Sequence, residues 1–255
     1  MGRILEVRNL SKRFGALWAV RDLSFSVERG SLTALIGPNG SGKSTTFNLI
    51  CGFLSPDQGE VLFEGHPLSA LPPENIARLG IARTFQTPQI FGHLSVLENV
   101  LLAIYQRRRP GLWASLARTP GFFREEKRAR EEAFGYLEKC SLAEEARKSA
   151  RDLPLGKLRY LELARALALR PKLLLLDEVA SGLSPREKED LAATLKGLPA
   201  EGITLFWVEH DLHLLMGLAE RVIVLHQGTK IAEGDPHAIQ RHPEVIRVYL
   251  GEELC

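Results

Sequence analysis

Eight consecutive residues, Gly37-Pro38-Asn39-Gly40-Ser41-Gly42-Lys43-Ser44, constrain this chain more than any other stretch. They fit the spacing G-x-x-x-x-G-K-[ST], with Thr45 next. The apolar run at 32–36 predicts a short buried strand ahead of them, and 44–53 predicts a helix behind. The glycines let successive backbone N–H groups curl into one concavity, and the helix adds its free N–H groups and the positive end of its dipole. Such a nest suits a polyphosphate. Lys43 would reach the β- and γ-phosphates as a point charge, and the Ser44 hydroxyl would help coordinate a bridging Mg2+. The plainer alternative, a glycine-rich turn that binds nothing, gives no reason for Gly, Lys and Ser to stand in this order.

At 255 residues, with 45% hydrophobic and 25% charged residues, the chain is an ordinary globular sequence: one domain, or one domain with a sub-domain insertion. Its formal net charge of +2 provides no bulk basic field for nucleic acid, so any polyanion is bound locally. Cys51, Cys140 and Cys255 lack paired or metal-ligand spacing, which suits a reducing cytoplasm and argues against structural zinc. No signal-peptide core, lipidation pattern or run of about 20 apolar residues is present, so a membrane role is expected to come through a partner protein.

Residues 4–9 and 20–27 predict strands joined by 10–15, and 60–64 predicts a third, together forming an antiparallel layer. Phe14, expected on the connecting turn, has two readings: a ring offered to a flat ligand such as adenine, or a cover for the core. A short helix over 72–79 leads to a strand over 81–85, ending at Gln86. Gln86 is placed for metal or phosphate contact if it leaves a sheet edge, and is otherwise a loop glutamine. Helices are predicted over 96–105 and 124–140, the second with Ala129, Ala133, Tyr136, Leu137 and Cys140 in one stripe. Between them, 110–123 carries Trp113, Phe122 and Phe123, which pack locally or face a partner or membrane.

A helix over 152–170 stops at Pro171. The run 173–176 predicts a strand buried on both faces and ends in Asp177-Glu178. Because successive side chains diverge, one acid can serve a metal while the other faces an attacking water, as phosphoryl transfer to water requires. A helix over 185–198 and a strand over 203–208 then lead to His210, in reach of a γ-phosphate at another strand end; 222–225 and 244–250 complete the pattern as strand and helix. Alternating strands and helices make the fold class α/β with a mostly parallel sheet.

Phe14, the 37–45 loop, Gln86, the helix opening at 152, Asp177-Glu178 and His210 stand in the order of the ATP-binding cassette (ABC) family. Essentially the whole chain resembles it. Ala82-Arg83-Thr84-Phe85-Gln86, 94–100, Glu209-His210-Asp211-Leu212 and 228–234 are similar to the branch that energises branched-chain amino acid uptake. The resemblance implies a P-loop NTPase core with an antiparallel β layer over 1–89 and 171–255, and an inserted helical subdomain over 90–170. It implies that Phe14 stacks on adenine and that residues 37–45 bind ATP. Ser44, Gln86 and Asp177 would hold Mg2+, with Gln86 reporting nucleotide state; Glu178 would be the general base, and Lys43 and His210 would hold the γ-phosphate. Two such ATPase subunits, identical or different, would close head to tail beneath integral membrane permease subunits on the inner face of the membrane, served indirectly by a solute-binding protein.

The sequence departs from the family where Leu-Ser-Gly-Gly-Gln is usual and Leu153-Pro154-Leu155-Gly156-Lys157 stands instead. Pro154 supplies neither hydroxyl nor N–H, Leu155 adds bulk, and Lys157 adds charge. Val179 replaces a usual proline. A site using this segment is therefore expected to turn over slowly beside a different partner ATPase. Two competing functions are a soluble ATP-driven switch on nucleic acid or ribosomes, and a nucleotide-binding scaffold that hydrolyses little.

Overall fold

The computed structural model describes residues 2–69, 71–108 and 120–252, and at 120–122 and 250–252 the backbone alone. Of the aromatic stretch at 110–123, Trp113 and the side chain of Phe122 lie outside the described residues, as does Cys255; Phe123 is exposed. The chain forms two compact units. The first runs to Arg83 and includes 172–181 and the chain from Leu195 onward; the second comprises 84–171 and 182–194.

In the first unit, β1 (Arg3–Phe14) and β2 (Leu17–Glu28) form a long hairpin. With β4 (Gln58–Phe63) and β5 (His66–Pro67) they make an antiparallel sheet ordered β2-β1-β4-β5. Strand β1 runs through 10–14, where the sequence suggested a connection. Pairing shifts around Asn9 and Asp22, both at positive φ, put the adjacent Leu10 and Ser11 both in the interior, a bulged pattern that strict alternation does not predict.

The other sheet contains β3 (Leu32–Ile36), β6 (Ile81–Arg83), β7 (Leu173–Asp177), β8 (Thr204–Val208), β9 (Arg221–His226) and β10 (Thr229–Gly234), ordered β10-β9-β3-β8-β7-β6. All are parallel except β10, which returns against β9 through Gln227 and Gly228, both at positive φ, as a two-residue hairpin turn requires. The sequence did not reveal β10, whose half-exposed residues lack clean alternation. In β3, β7 and β8 every residue is buried, as parallel strands covered on both faces must be. Strand β6 stops at Arg83 rather than 85.

Helix α1 (Lys43–Ile50) begins one residue earlier and ends three earlier than expected. Gly52 ends it at φ +73, where a Cβ would stand 2.7 Å from Ile76 Cδ1 in α2 (Pro73–Leu79). Phe206 of β8 is the centre of the core, its ring 5.4 Å from that of Phe25 on β2 and 5.2 Å from that of Phe47 on α1. Aromatic packing thus fastens both sheets and the helix together.

The second unit packs α3 (Val96–Arg108), α4 (Pro120–Lys139) and α5 (Leu155–Ala168) against one another. Ser95 and Glu98 form a reciprocal capping box at the start of α3. Ala129, Ala133, Leu137 and Cys140 are buried as the helical spacing predicts, with Tyr136 half-buried. Glu132 joins α3 to α4 through Arg107 at 2.8 Å and Arg108 at 2.6 Å. Helix α5 starts at Leu155, not 152, because Pro154 is its extended N-cap at ψ 158, preceded by a 3-10 turn at Ala150–Asp152.

Helix α6 (Pro185–Gly197) has its first turns in this unit. Two short helices in the first unit escaped the sequence: α7 (Leu212–Met216), capped by Asp211, and α8 (Pro236–Gln240), capped by Asp235. Helix α9 (Pro243–Glu252) follows them. Burial pushes the thiols of Cys51 and Cys140 up to about 11 and about 12, so both are unreactive core groups.

Replacing Phe206 by Ala should cost about 3–5 kcal/mol of stability, since the cavity opens where three aromatic rings meet. Denaturant unfolding measures this, and a loss below about 1 kcal/mol would contradict a core centred on Phe206.

Candidate active site

Strands β3, β6, β7 and β8 run parallel, so Ile36, Arg83, Asp177 and Val208 finish at the same edge of their sheet. The loop 37–42 leaves β3 there and enters α1. Gly37 lies at φ +150 and Gly42 at φ +104, and each meets another strand backbone to backbone. A Cβ on Gly37 would stand 2.1 Å from the Leu225 carbonyl oxygen, and one on Gly42 would stand 2.4 Å from that of Ala19. No side chain larger than hydrogen fits either place.

The loop is held at its start by Lys43, buried, whose Nζ donates to the carbonyls of Gly37 at 2.6 Å and Pro38 at 2.8 Å. Helix α1 opens with Gly42 as N-cap, no capping side chain and no acid in its first turn, so its leading N–H groups suit an anion. The Ser41 Oγ is buried and has no hydrogen-bond partner among the described residues. Ser44 is exposed at the first turn and Thr45 half-exposed. These groups border a cleft of about 720 Å³ that also takes in Phe14, Trp18, Glu178, His210 and Gln227. Phe14 ends β1 beside the turn, the residue 49% exposed and the Lys12 Nζ 5.9 Å from its ring centroid. A cleft with an aromatic face at one part and a nest of N–H groups at another fits a nucleoside polyphosphate.

Glu178 follows β7 at φ 51, a left-handed conformation costly to a residue with a Cβ. Its N–H donates to the Val208 carbonyl at 2.9 Å, and its Oε1 lies 2.8 Å from His210 Nε2. Glu209, between them in the fold and buried, accepts from the N–H of Ala180 and of His210, both at 2.9 Å. Burial raises its carboxyl above the usual carboxylate range, against the pull of those two donors. Glu209 thus ties the turn after β7 to the one after β8. Its bridging role was not read from the sequence, where Glu209 stood only as a member of the segment Glu209-His210-Asp211-Leu212.

Asp177 does not border the cleft. Its Oδ2 accepts from Arg83 Nη2 at 2.7 Å, while Arg83 Nη1 donates to Asn48 Oδ1 at 2.7 Å and the guanidinium lies 5.6 Å from the Phe47 ring centroid. Arg83 therefore links β6, β7 and α1 around Asp177. Its role too was not read from the sequence, where Arg83 stood only as a member of the segment Ala82-Arg83-Thr84-Phe85-Gln86. The hydroxyl of Ser44 and the carboxylate of Asp177 are hard oxygen donors of the kind Mg2+ takes. Among the described residues no cluster of three His, Cys, Asp or Glu side chains could hold a metal by itself.

Gln86 belongs to the second unit, exposed in the loop after β6. The 153–157 segment is there as well. Pro154 caps α5, Leu155 is 53% exposed, and a Cβ on Gly156 would stand 2.5 Å from Glu187 Oε1. Lys157 is paired with Glu145, whose carboxyl it holds below the usual range.

The ABC transporter family profile matches residues 20–181, and the profile of the branched-chain amino acid ATP-binding cassette transporter matches residues 229–254. The chain is 41% identical over 250 residues to the high-affinity branched-chain amino acid transport ATP-binding protein BraF of Pseudomonas aeruginosa, covering 98% of each. It is 40% identical over 250 residues to the corresponding LivG protein of Escherichia coli, again covering 98% of each. Among solved structures, the ADP conformation of an ATP-binding cassette of an ABC transporter matches with a TM-score of 0.84 at 35% identity, covering 98% of this chain and 100% of that one. A dimeric cassette in a post-hydrolysis state bound to ADP and Pi matches with a TM-score of 0.79 at 25% identity, covering 91% of this chain and 98% of that one. At this identity and coverage, the chain belongs to the ATP-binding cassette transporter family, as one of its ATP-hydrolysing cassettes.

Proposed function

We propose that this cassette powers a membrane importer of branched-chain amino acids, working as one of two ATPase subunits docked on permease subunits at the inner face of the membrane. The observation that carries the substrate class is the match of residues 229–254 to the branched-chain profile, joined to relatives of that role that span 98% of the chain. No described helix is long and apolar enough to cross a membrane, so attachment through permease subunits suits the chain. The family match and these relatives do not favour a soluble switch or a weakly hydrolysing scaffold.

In this reading the N–H groups of 37–45 bind the phosphates, and Lys43 trades its bonds to the Gly37 and Pro38 carbonyls for phosphate oxygens. Phe14 stacks on the adenine ring. Ser44, Asp177 and Gln86 would hold Mg2+, which would neutralise phosphate charge. Arg83 keeps the Asp177 carboxylate oriented. Glu178 accepts the proton of the attacking water, and His210, within hydrogen-bond distance of its Oε1, fixes that carboxylate and reaches the γ-phosphate.

The 153–157 segment makes the two sites of a pair unequal. Pro154 offers no N–H, and the charge of Lys157 is engaged by Glu145 of its own chain. In a complex with a different ATPase subunit, the site built on this chain's Lys43 and Glu178 carries most of the turnover.

Three outcomes are expected. The cassette should co-purify with an integral membrane permease, and vesicles holding that complex should take up leucine, isoleucine or valine on addition of ATP and Mg2+; isolation without any permease would contradict the assignment. Lys43→Ala should abolish that uptake and weaken ATP binding to the isolated chain by at least about tenfold, as measured by titration, because a buried charge-assisted contact is lost. Glu178→Gln should lower ATPase turnover of the complex by about a hundredfold or more while ATP still binds. Survival of most of that activity would show that the working site lies elsewhere.

A further inference from the structure

Three side chains on one face of α5, Arg159, Glu162 and Arg165, converge on the loop that carries Gln86. Glu162 Oε1 accepts from the N–H of Phe85 at 3.1 Å and from the N–H of Gln89 at 3.2 Å. Arg159 Nη1 donates to the Phe85 carbonyl at 3.1 Å, and Arg165 Nη1 donates to the Gln89 carbonyl. The spacing i, i+3, i+6 keeps the three on one helix face. Both residues that bound the 85–89 turn are therefore held, N–H and carbonyl alike, by one surface, while Gln86 and Thr87 between them stay exposed.

Stability alone gives a poor account of this cluster. Glu162 is 5% exposed, and its Oε2, with the Nε of Arg159 and of Arg165, is buried without a hydrogen-bond partner among the described residues. An apolar helix face would carry no such unpaired side-chain atoms, though it would also give up the bonds to the loop backbone. What the polar groups supply instead is a fixed backbone: two amides on one buried acid oxygen leave the loop little freedom. The same helix opens at 153–157, where the sequence departs from the family.

We infer that Glu162 is a positioning residue that locks the 85–89 loop to α5, so that Gln86 and the segment 153–157 move as one body. Its functional consequence rests on the reading of Gln86 as the reporter of nucleotide state; the lock itself does not.

The test separates reach from charge. Glu162→Gln keeps the oxygen in place and removes the charge, whereas Glu162→Asp keeps the charge and withdraws the oxygen by one methylene. Amide hydrogen exchange on the purified chain should be at least about tenfold faster at Phe85 and Gln89 in Glu162→Asp, and close to wild type in Glu162→Gln, with amides of β7 as the reference for global stability. In the assembled transporter, Glu162→Asp should lower kcat several-fold with little change in KM for ATP, and Glu162→Gln should restore it. Exchange that is unchanged in Glu162→Asp, or faster in Glu162→Gln than in Glu162→Asp, would overturn the lock and leave Glu162 as a counter-ion for the two arginines. Faster exchange at both amides with unchanged kcat would overturn its role in turnover. Neither result touches ATP binding by the 37–45 loop, which is read separately by titration.

Discussion

The contact on which the candidate site depends is the approach of one bare backbone to two others. Gly37 lies against the carbonyl of Leu225 on β9, and Gly42 against that of Ala19 on β2, so the loop between them is seated on strands from both sheets. The 37–42 curl is therefore a place where one loop packs backbone to backbone against a strand of each sheet. Phe206, Phe25 and Phe47 fill the space beneath with rings instead of backbone. Site and core are two levels of one packing arrangement.

Around that seat, the chain holds the side chains proposed to act on the nucleotide by hydrogen bonds more than by exposing them. Lys43 is folded onto its own loop, and Glu178 sits in a left-handed turn facing His210. Glu209 fastens the two strand-end turns to each other, and Arg83 gathers Asp177 and Asn48 around one guanidinium. Such preorganisation suits phosphoryl transfer, where positioning and charge do most of the work. The second unit uses the same device without a phosphate site: Glu162 takes two amides of one loop, and Glu145 takes the one cation of the altered 153–157 segment.

The elements that could be read from the sequence were those in which one local rule governs. The loop at 37–44 has a fixed spacing, the run 173–176 is apolar at every position, and the stripe on α4 has helical spacing; each corresponds to an element in the structure. The difficulties came where two rules compete. In β1 a bulge at Asn9 shifts the pairing, so alternation broke and residues 10–14 looked like a connection. In β10 the strand exists because β9 and a tight turn at Gln227-Gly228 place it there, not because its side chains alternate. Gly52 and Pro154 trimmed helices that composition alone extended. The strand-end acids and His210 carried a signal, but Arg83, Glu209 and Glu162 each act through at least one partner 29 to 94 residues away, and one chain offers no pattern for such pairs.

The seating of Gly42 is the most direct point of attack, because it joins the architecture to the ligand. Equilibrium titration of the purified chain and of Gly42→Ala with ATP and Mg2+, alongside circular dichroism of both, tests it. The account predicts saturable binding by the wild-type chain and its loss in Gly42→Ala while the β-sheet signal persists, since the new methyl would strike the Ala19 carbonyl at 2.4 Å and push the loop out of its curl. Equal affinity in the two proteins, or no saturable binding in the first, would contradict it.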